Sequence, residues 1–315
     1  MEELFDWGHS RRYNDYPTYI KSKFGGRVQK ISVNVGFSCP NKDGTKGTGG
    51  CIYCDNKTFK PGYCEPEIPI KDQISQGVRF FEKKYPDMKY MAYFQSYTNT
   101  YAPVQSLRKL YEEALAQPKV VGLVIGTRPD CISSEILSML QEIAKNTPVT
   151  IEFGLESTKD ETLEEINRCH TWEDSVKAIK MCHSYGIDIG AHLILGLPGE
   201  THNDMLLHAK RISALPVKML KLHQLQVIKN TKLAKRFNEN PDYIKPFDFE
   251  EYLNLIIQFV EILNSKIIIE RFVSTAPIDK LIAPKWNKIK NFEVVAKIDK
   301  ELENRNTWQG RLYQQ

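Results

Sequence analysis

A chain of 315 residues with 41% hydrophobic and 26% charged content can bury one large α/β core, which excludes a disordered or fibrous protein. The N-terminal MEELFDWGHSRRYNDYP lacks the apolar stretch of a signal peptide, and runs such as LNLIIQFVEIL are too short to span a bilayer, so a cytoplasmic protein that does not cross a membrane is expected. The net charge of +4 is unevenly placed, with nine Lys and Arg against two acids over 205–245 and eight against four over 280–311.

In chain order, an N-terminal extension (1–29) precedes the first strand-like run, KISVNVG (30–36). Further β-branched runs are KYMAYFQ (89–95), KVVGLVIG (119–126), PVTIEFGLE (148–156), IDIGAHLILG (187–196) and VKMLKLHQL (217–225). Helical patterns lie between them at 70–84, 103–116, 133–145, 172–185 and 202–213. Pro103, Ser133 and Thr201 mark helix starts. Thr171 followed by Asp174 reads as another, although a capping box prefers Glu or Gln there. This core (30–225) gives way to a C-terminal extension (226–315): a polar basic stretch with Pro241 and Pro246, a helix (250–263), a candidate seventh strand KIIIERFV, and a weakly periodic tail.

Apolar strands separated by helices imply a parallel sheet covered by helices. The spacing suits a partial barrel or an open doubly wound sheet equally. In both, functional residues belong at the C-terminal strand ends. The unusual polar segments do fall there: the cysteines after the first strand, QSYTNTYAP after the second, TRPD after the third, then ES and GLPGET.

Of seven cysteines, Cys39, Cys51 and Cys54 are grouped in CPNKDGTKGTGGCIYC, where Gly44, Gly47, Gly49 and Gly50 make the loop pliable. Reduced thiols grouped in this way point to metal or catalysis rather than to disulfides. A structural zinc site would recruit Cys64 or a histidine as fourth ligand, but zinc sites usually pair two CxxC hooks and only one exists. An iron–sulfur cluster tolerates a missing protein ligand, so three cysteines favour a cluster with one open iron.

The C-x11-C-x2-C spacing resembles the radical S-adenosylmethionine (SAM) superfamily, in the Elongator catalytic-subunit-like branch. FQSYTNTYAPV, GLVIGTRPDC, IEFGLES, INRCHT and HLILGLPGE, in order between Phe24 and Trp286, resemble more narrowly the YhcC/YtqA-type family. The resemblance implies an α/β fold, a partial (β/α)6 TIM-like barrel of parallel strands with a C-terminal extension. It implies a [4Fe–4S] cluster on Cys39, Cys51 and Cys54, with SAM on the fourth iron and cleaved on reduction to a 5′-deoxyadenosyl radical. Gln95, Ser96 and Thr98 stand where relatives hold the methionyl amino group, without the usual Gly-Gly-Glu.

Glu156 and Arg168 match SAM-contacting positions, Arg168 as partner of the carboxylate. A surface ion pair is the plain alternative for Arg168. His192 is either a ribose or substrate contact or a core histidine bonded to the backbone. Gly196, Leu197 and Pro198 would flank the adenine, and Arg128 and Asp130 of TRPD would border the substrate unless that segment is a simple turn. Cys169 replaces a glycine usual in relatives.

The branch and the two basic segments point to tRNA as substrate, with Lys229, Lys232 and Lys235 as RNA contacts. Remodelling of a wobble uridine from carboxymethylaminomethyl toward aminomethyl is the reaction associated with the group. A low-potential electron donor of flavodoxin or ferredoxin type would be required. The alternatives are radical chemistry on a small metabolite and a non-catalytic, zinc-stabilised nucleic-acid-binding protein.

Overall fold

The computed structural model describes residues 4–56, 58–286 and 289–314. Lys288, one of the basic residues counted above, lies outside them. Helix α1 (Tyr16–Phe24) leads into β1 (Val28–Val33). Strand and helix then alternate: α2 (Ile70–Glu82), β2 (Lys89–Phe94), α3 (Val104–Leu115), β3 (Val120–Thr127), α4 (Ser134–Ala144) and β4 (Val149–Glu156). Two helices follow, α5 (Asp160–Glu165) and α6 (Trp172–Ser184), before β5 (Asp188–Leu195), α7 (His202–Ser213) and β6 (Met219–Gln224). Beyond these lie β7 (Val227–Ile228), α8 (Lys232–Glu239), α9 (Phe249–Ile262), β8 (Ile268–Arg271), β9 (Leu281–Ala283) and α10 (Asn291–Asn304).

Seven strands form one parallel sheet in the order β1-β2-β3-β4-β5-β6-β8, curled into a half-barrel. The candidate seventh strand therefore extends this sheet, pairing parallel with β6, and β1 and β8 are its two edges. Pleating sends alternate side chains to opposite faces. Ile31, Val33, Ala92, Phe94, Leu123, Ile125, Ile151, Phe153, Leu193, Leu220 and Leu222 join one apolar core with residues of the surrounding helices, among them Leu107, Leu140, Ile179 and Ile212. Each fully buried Leu, Ile or Phe there contributes about 1.5–3 kcal/mol. The alternate positions carry Lys30, Ser32, Tyr93, Glu152, His192, Lys221 and His223 into the lumen. The strands thus have one apolar and one polar face, where the sequence suggested near-continuous apolar runs.

β1 starts and ends earlier than its sequence pattern. At Asn34 the backbone N–H donates to Gln73 Oε1 (2.9 Å) and the side-chain amide to the Cys64 carbonyl (3.1 Å), so a buried side-chain pair draws the chain out of the ladder. Thr171 and Asp174 do close a capping box, because an aspartate at this position reaches the Thr171 N–H at 2.8 Å. The weakly periodic tail contains α10, held by the stripe Val294, Ile298 and Leu302. The N-terminal segment is tied to this end of the chain, Arg11 to Asp299 at 2.7 Å and Asn14 N–H to Gln309 Oε1 at 2.9 Å. Among the described residues no helix is long and apolar enough to cross a membrane.

Candidate active site

The three cysteines line one cavity of about 1410 Å³ that starts at the strand ends and descends through the lumen. Their loop is anchored by Ile52, which lies inside the CIYC hook and is buried with Leu163, Ile166, Leu197, Leu225 and Leu233 in a small second core. Two backbone bonds secure it, Ile52 N–H to the Ile166 carbonyl (3.0 Å) and Leu233 N–H to the Ile52 carbonyl (2.8 Å). Residues 166–170, the INRCH of the fourth unit, form a clamp. Asn167 donates to the carbonyls of Thr48 (3.2 Å) and Gly50 (2.9 Å), and Asn41 donates to the Asn167 carbonyl. The Cys169 thiol meets Asn41 Oδ1 at 3.1 Å. A Cβ on Gly47 would lie 2.5 Å from Asn41 Oδ1 and 2.7 Å from Cys169 Sγ, so a larger residue would displace the clamp's side chains.

Arg168 is fully engaged. Nη1 donates to Cys51 Sγ at 3.6 Å, Nε to His170 Nε2 at 3.0 Å, and Nη2 to the Gly154 carbonyl, with Glu156 at 3.5 Å. Asn41 Nδ2 also donates to Cys51 Sγ, at 3.5 Å. Burial, reinforced by Arg168 and Arg128, lowers the His170 pKa to about 3 and keeps the ring neutral, as accepting from Arg168 requires. Arg128, buried in spite of its charge, forks onto Asp130 (2.9 and 3.0 Å) and donates to the Arg168 carbonyl (2.8 Å). Burial alone would raise the Asp130 pKa, but Arg128 and Lys46 outweigh it and hold the carboxyl at about 2. Lys46, at 2.7 Å, links this pair to the cysteine loop.

Gln95, Arg128, Glu156, Arg168 and His192 are walls of the cavity; Ser96, Thr98, Asp130 and Gly196 are not. Thr98 is buried beside the cysteine loop, its N–H on the Ser38 carbonyl at 3.3 Å and its hydroxyl without a hydrogen-bond partner among the described residues. Gly196 turns the chain after β5 at φ +88°, where a Cβ would lie 2.7 Å from the Phe247 ring. Tyr97, Glu156, Asn167 and Cys169 adopt positive φ values of 64°, 70°, 55° and 59°, so backbone strain collects around the cysteines. Lys229, Lys232 and Lys235 are exposed and do not line the cavity; Lys232 reaches over Gly49 and Lys235 faces Glu239 at 3.9 Å.

Sequence reasoning missed the lower lumen. Glu152 is fully buried and bonded to Lys30 (2.5 Å), Lys221 (2.6 Å) and His192 (2.9 Å). Glu270 bridges Lys30 (2.5 Å) and Lys221 (3.2 Å). Burial opposes ionisation of Glu152, but the two lysines and His192 outweigh it and hold its pKa well below the usual range. Burial, followed by His192 and Arg271, keeps His223 neutral. The available signal was a charged residue inside each otherwise apolar strand: Lys30, Glu152 and Lys221.

The residues fit an iron–sulfur cluster. Three thiols converge on one cavity, and Cys51 already receives two N–H donors of the kind that tune cluster sulfurs. Cys64 is turned away, its thiol on the Ser32 carbonyl at 2.9 Å and pushed by burial up to about 12. Among the described residues no three of His, Cys, Asp and Glu are grouped to hold a single ion. A tetrahedral zinc, with bonds of about 2.3 Å, needs its sulfurs within about 4 Å of one another. Inorganic sulfide and iron between the thiolates spread the ligands further.

A parallel half-barrel with this triad at its strand ends defines a metallocluster enzyme of the radical type. The chain belongs to the radical SAM superfamily: the superfamily model matches residues 39–212 and the Radical_SAM C-terminal domain matches 217–304. Its cofactors are those of the family, a [4Fe–4S] cluster and SAM. It is 33% identical to the uncharacterized protein YtqA of Bacillus subtilis over 96% of this chain and 94% of that protein. A shorter match, 32% identical, joins 45% of this chain to 26% of a tRNA uridine(34) acetyltransferase of Methanocaldococcus jannaschii. Among solved structures, Elp3 of Methanocaldococcus infernus superimposes with a TM-score of 0.67 at 19% identity, over 90% of this chain and 64% of that one, so the chain spans just under two thirds of that protein.

Proposed function

We propose that this radical SAM enzyme modifies tRNA, acting on the side chain of a wobble uridine and remodelling carboxymethylaminomethyl-uridine toward aminomethyl-uridine. The observation that carries the reading is the cavity itself. It exceeds the roughly 300–1,000 Å³ of a usual small-molecule site, leaving space for a nucleoside beside SAM. Eight of its lining side chains are Lys or Arg against three Glu, a balance suited to a polyanion. The match to an enzyme named for tRNA uridine 34 supports the same substrate.

With the cluster and SAM bound, one-electron reduction supplies a 5′-deoxyadenosyl radical able to abstract hydrogen from the substrate. The chain's own residues bind, orient and shield. Cys39, Cys51 and Cys54 would hold three irons. Asn41 and Arg168 donate to Cys51 and disperse charge on its sulfur. Gln95, Glu156 and His192, walls of the same cavity, offer polar atoms to the amino group and ribose of SAM. The small core around Ile52 keeps water from beneath the loop. A donor of flavodoxin or ferredoxin type would supply the electron. Nucleoside analysis of tRNA from wild-type and deletion cells tests the proposal: one modified nucleoside should be lost and its precursor should accumulate. An unchanged tRNA profile with an altered metabolite pool overturns it.

A further inference from the structure

The cavity does not end in the lumen. Its walls continue past the unpaired edge of β1 to Arg27, to Phe80 and Phe81 of α2, and to Lys21 of α1. On the other side they continue to Arg271 at the end of β8, the second edge. The sheet is therefore not closed by a ladder between its two edge strands: α1 and the Lys30–Glu270 ion pair span the seam, Ile269 N–H donates to the Asn14 carbonyl at 2.8 Å, and the cavity runs outward beside them. Charge along this opening is unbalanced. All three acidic walls are committed to ion pairs: Glu152 and Glu270 with Lys30 and Lys221, and Glu156 with Arg168. Lys21, Arg27 and Arg271 are exposed and form no ion pair among the described residues; the Arg27 guanidinium lies over the Tyr85 ring, 4.7 Å from its centroid. Phe80 and Phe59, two further walls, are 79% and 40% exposed.

We infer that this lateral seam is where RNA docks, its phosphates on Lys21, Arg27 and Arg271 and an unpaired base against Phe80 or Phe59. The inference rests on the tRNA reading above and relocates the contact from Lys229, Lys232 and Lys235, which lie off the cavity. Fixed cations in a groove hold the backbone, and exposed rings supply stacking surfaces for bases of any sequence. The seam leads inward to the cysteines, so a strand held there can deliver one nucleoside to the reacting end.

The test is a salt titration of tRNA binding by the full chain reconstituted with its cluster. The combined variant Lys21→Gln, Arg27→Gln, Arg271→Gln should bind at least about tenfold more weakly and flatten the slope of log K against log salt by about 2. Phe80→Ala should weaken binding with the slope unchanged. Lys229→Gln, Lys232→Gln, Lys235→Gln together should stay within about threefold of the unmodified chain. Iron content and melting midpoint verify folding; if the triple variant fails there, Lys21→Gln and Arg27→Gln singly should each flatten the slope by about 0.7. Retained affinity in the seam variants, with loss in the Lys229 set, overturns the docking site alone. Absence of tRNA binding by the unmodified chain overturns the tRNA reading as well. Binding of polyglutamate in place of RNA overturns both in favour of an acidic protein.

Discussion

The two ends of the cavity are built in opposite ways. At the mouth, three thiols and their clamp come from two short segments, 39–54 and 166–170, each rich in residues with one evident use. Lower in the lumen, Lys30, Glu152, Lys221 and Glu270 come one apiece from β1, β4, β6 and β8, separated by up to 240 positions. A local constellation announces its chemistry through spacing, whereas a dispersed one exists only once the sheet has curled. Their energetics differ too. The mouth collects positive-φ residues and turns its three thiols to the cavity, while the lumen charges neutralise one another within the protein.

The largest expected effect would break the mouth. Cys39→Ala, Cys51→Ala or Cys54→Ala should each abolish cluster assembly and lower SAM cleavage by at least about 10³-fold; iron and sulfide analysis with a 5′-deoxyadenosine assay reads both. Folding should survive, because the anchor is Ile52 rather than the thiols.

The lumen should respond in the opposite sense. Glu152→Ala leaves Lys30 and Lys221 buried with only Glu270 between them and should cost about 3–5 kcal/mol in a denaturant titration. A loss under 1 kcal/mol would mean that water enters and solvates the lysines.

Acid should affect the clamp before the lumen. The His170 pKa is lowered in the folded state, so the unfolded chain binds the extra proton first. Its stabilising contribution is complete above about pH 6.5 and is lost as pH falls toward about 3. His170→Gln should flatten the pH dependence of the unfolding midpoint between pH 6.5 and 4, and an unchanged acid limb would remove His170 as its cause.

The smallest effect sharpens the role of Arg168. Arg168→Lys keeps the charge but loses the fork that reaches Cys51, so the cluster potential should fall by about 60 mV in an anaerobic redox titration, a tenfold step for one electron. If the potential stays fixed while affinity for SAM drops, the residue belongs to the SAM carboxylate instead.

The alternation of elements, the helix starts at Ser133, Thr171 and Thr201, and the cysteine triad were legible because each depends on neighbours in sequence. Gln95 and Glu156 at strand ends, Arg168 after a helix and His192 within a strand were singled out by motifs that resemble the family, and all four line the cavity. Their partners were not legible. That Arg168 would bind Cys51 and His170, and that His192 would be taken by Glu152, depends on which strand ends become neighbours. The lysines of 229–235 illustrate the same limit. A basic run shows in composition, but whether it faces the cavity depends on where α8 packs.

Sequence alone pointed to the class of chemistry, through a cysteine spacing and a run of motifs that resemble one superfamily. Tertiary structure decided where the charges act. Period-two pleating turned Lys30, Glu152 and Lys221 into a shared lumen, and an unclosed sheet left Lys21, Arg27 and Arg271 at its seam without an ion pair among the described residues. Charge interactions fall off with distance and are screened by water, so which charges meet, and which stay free, is settled only when the chain has folded.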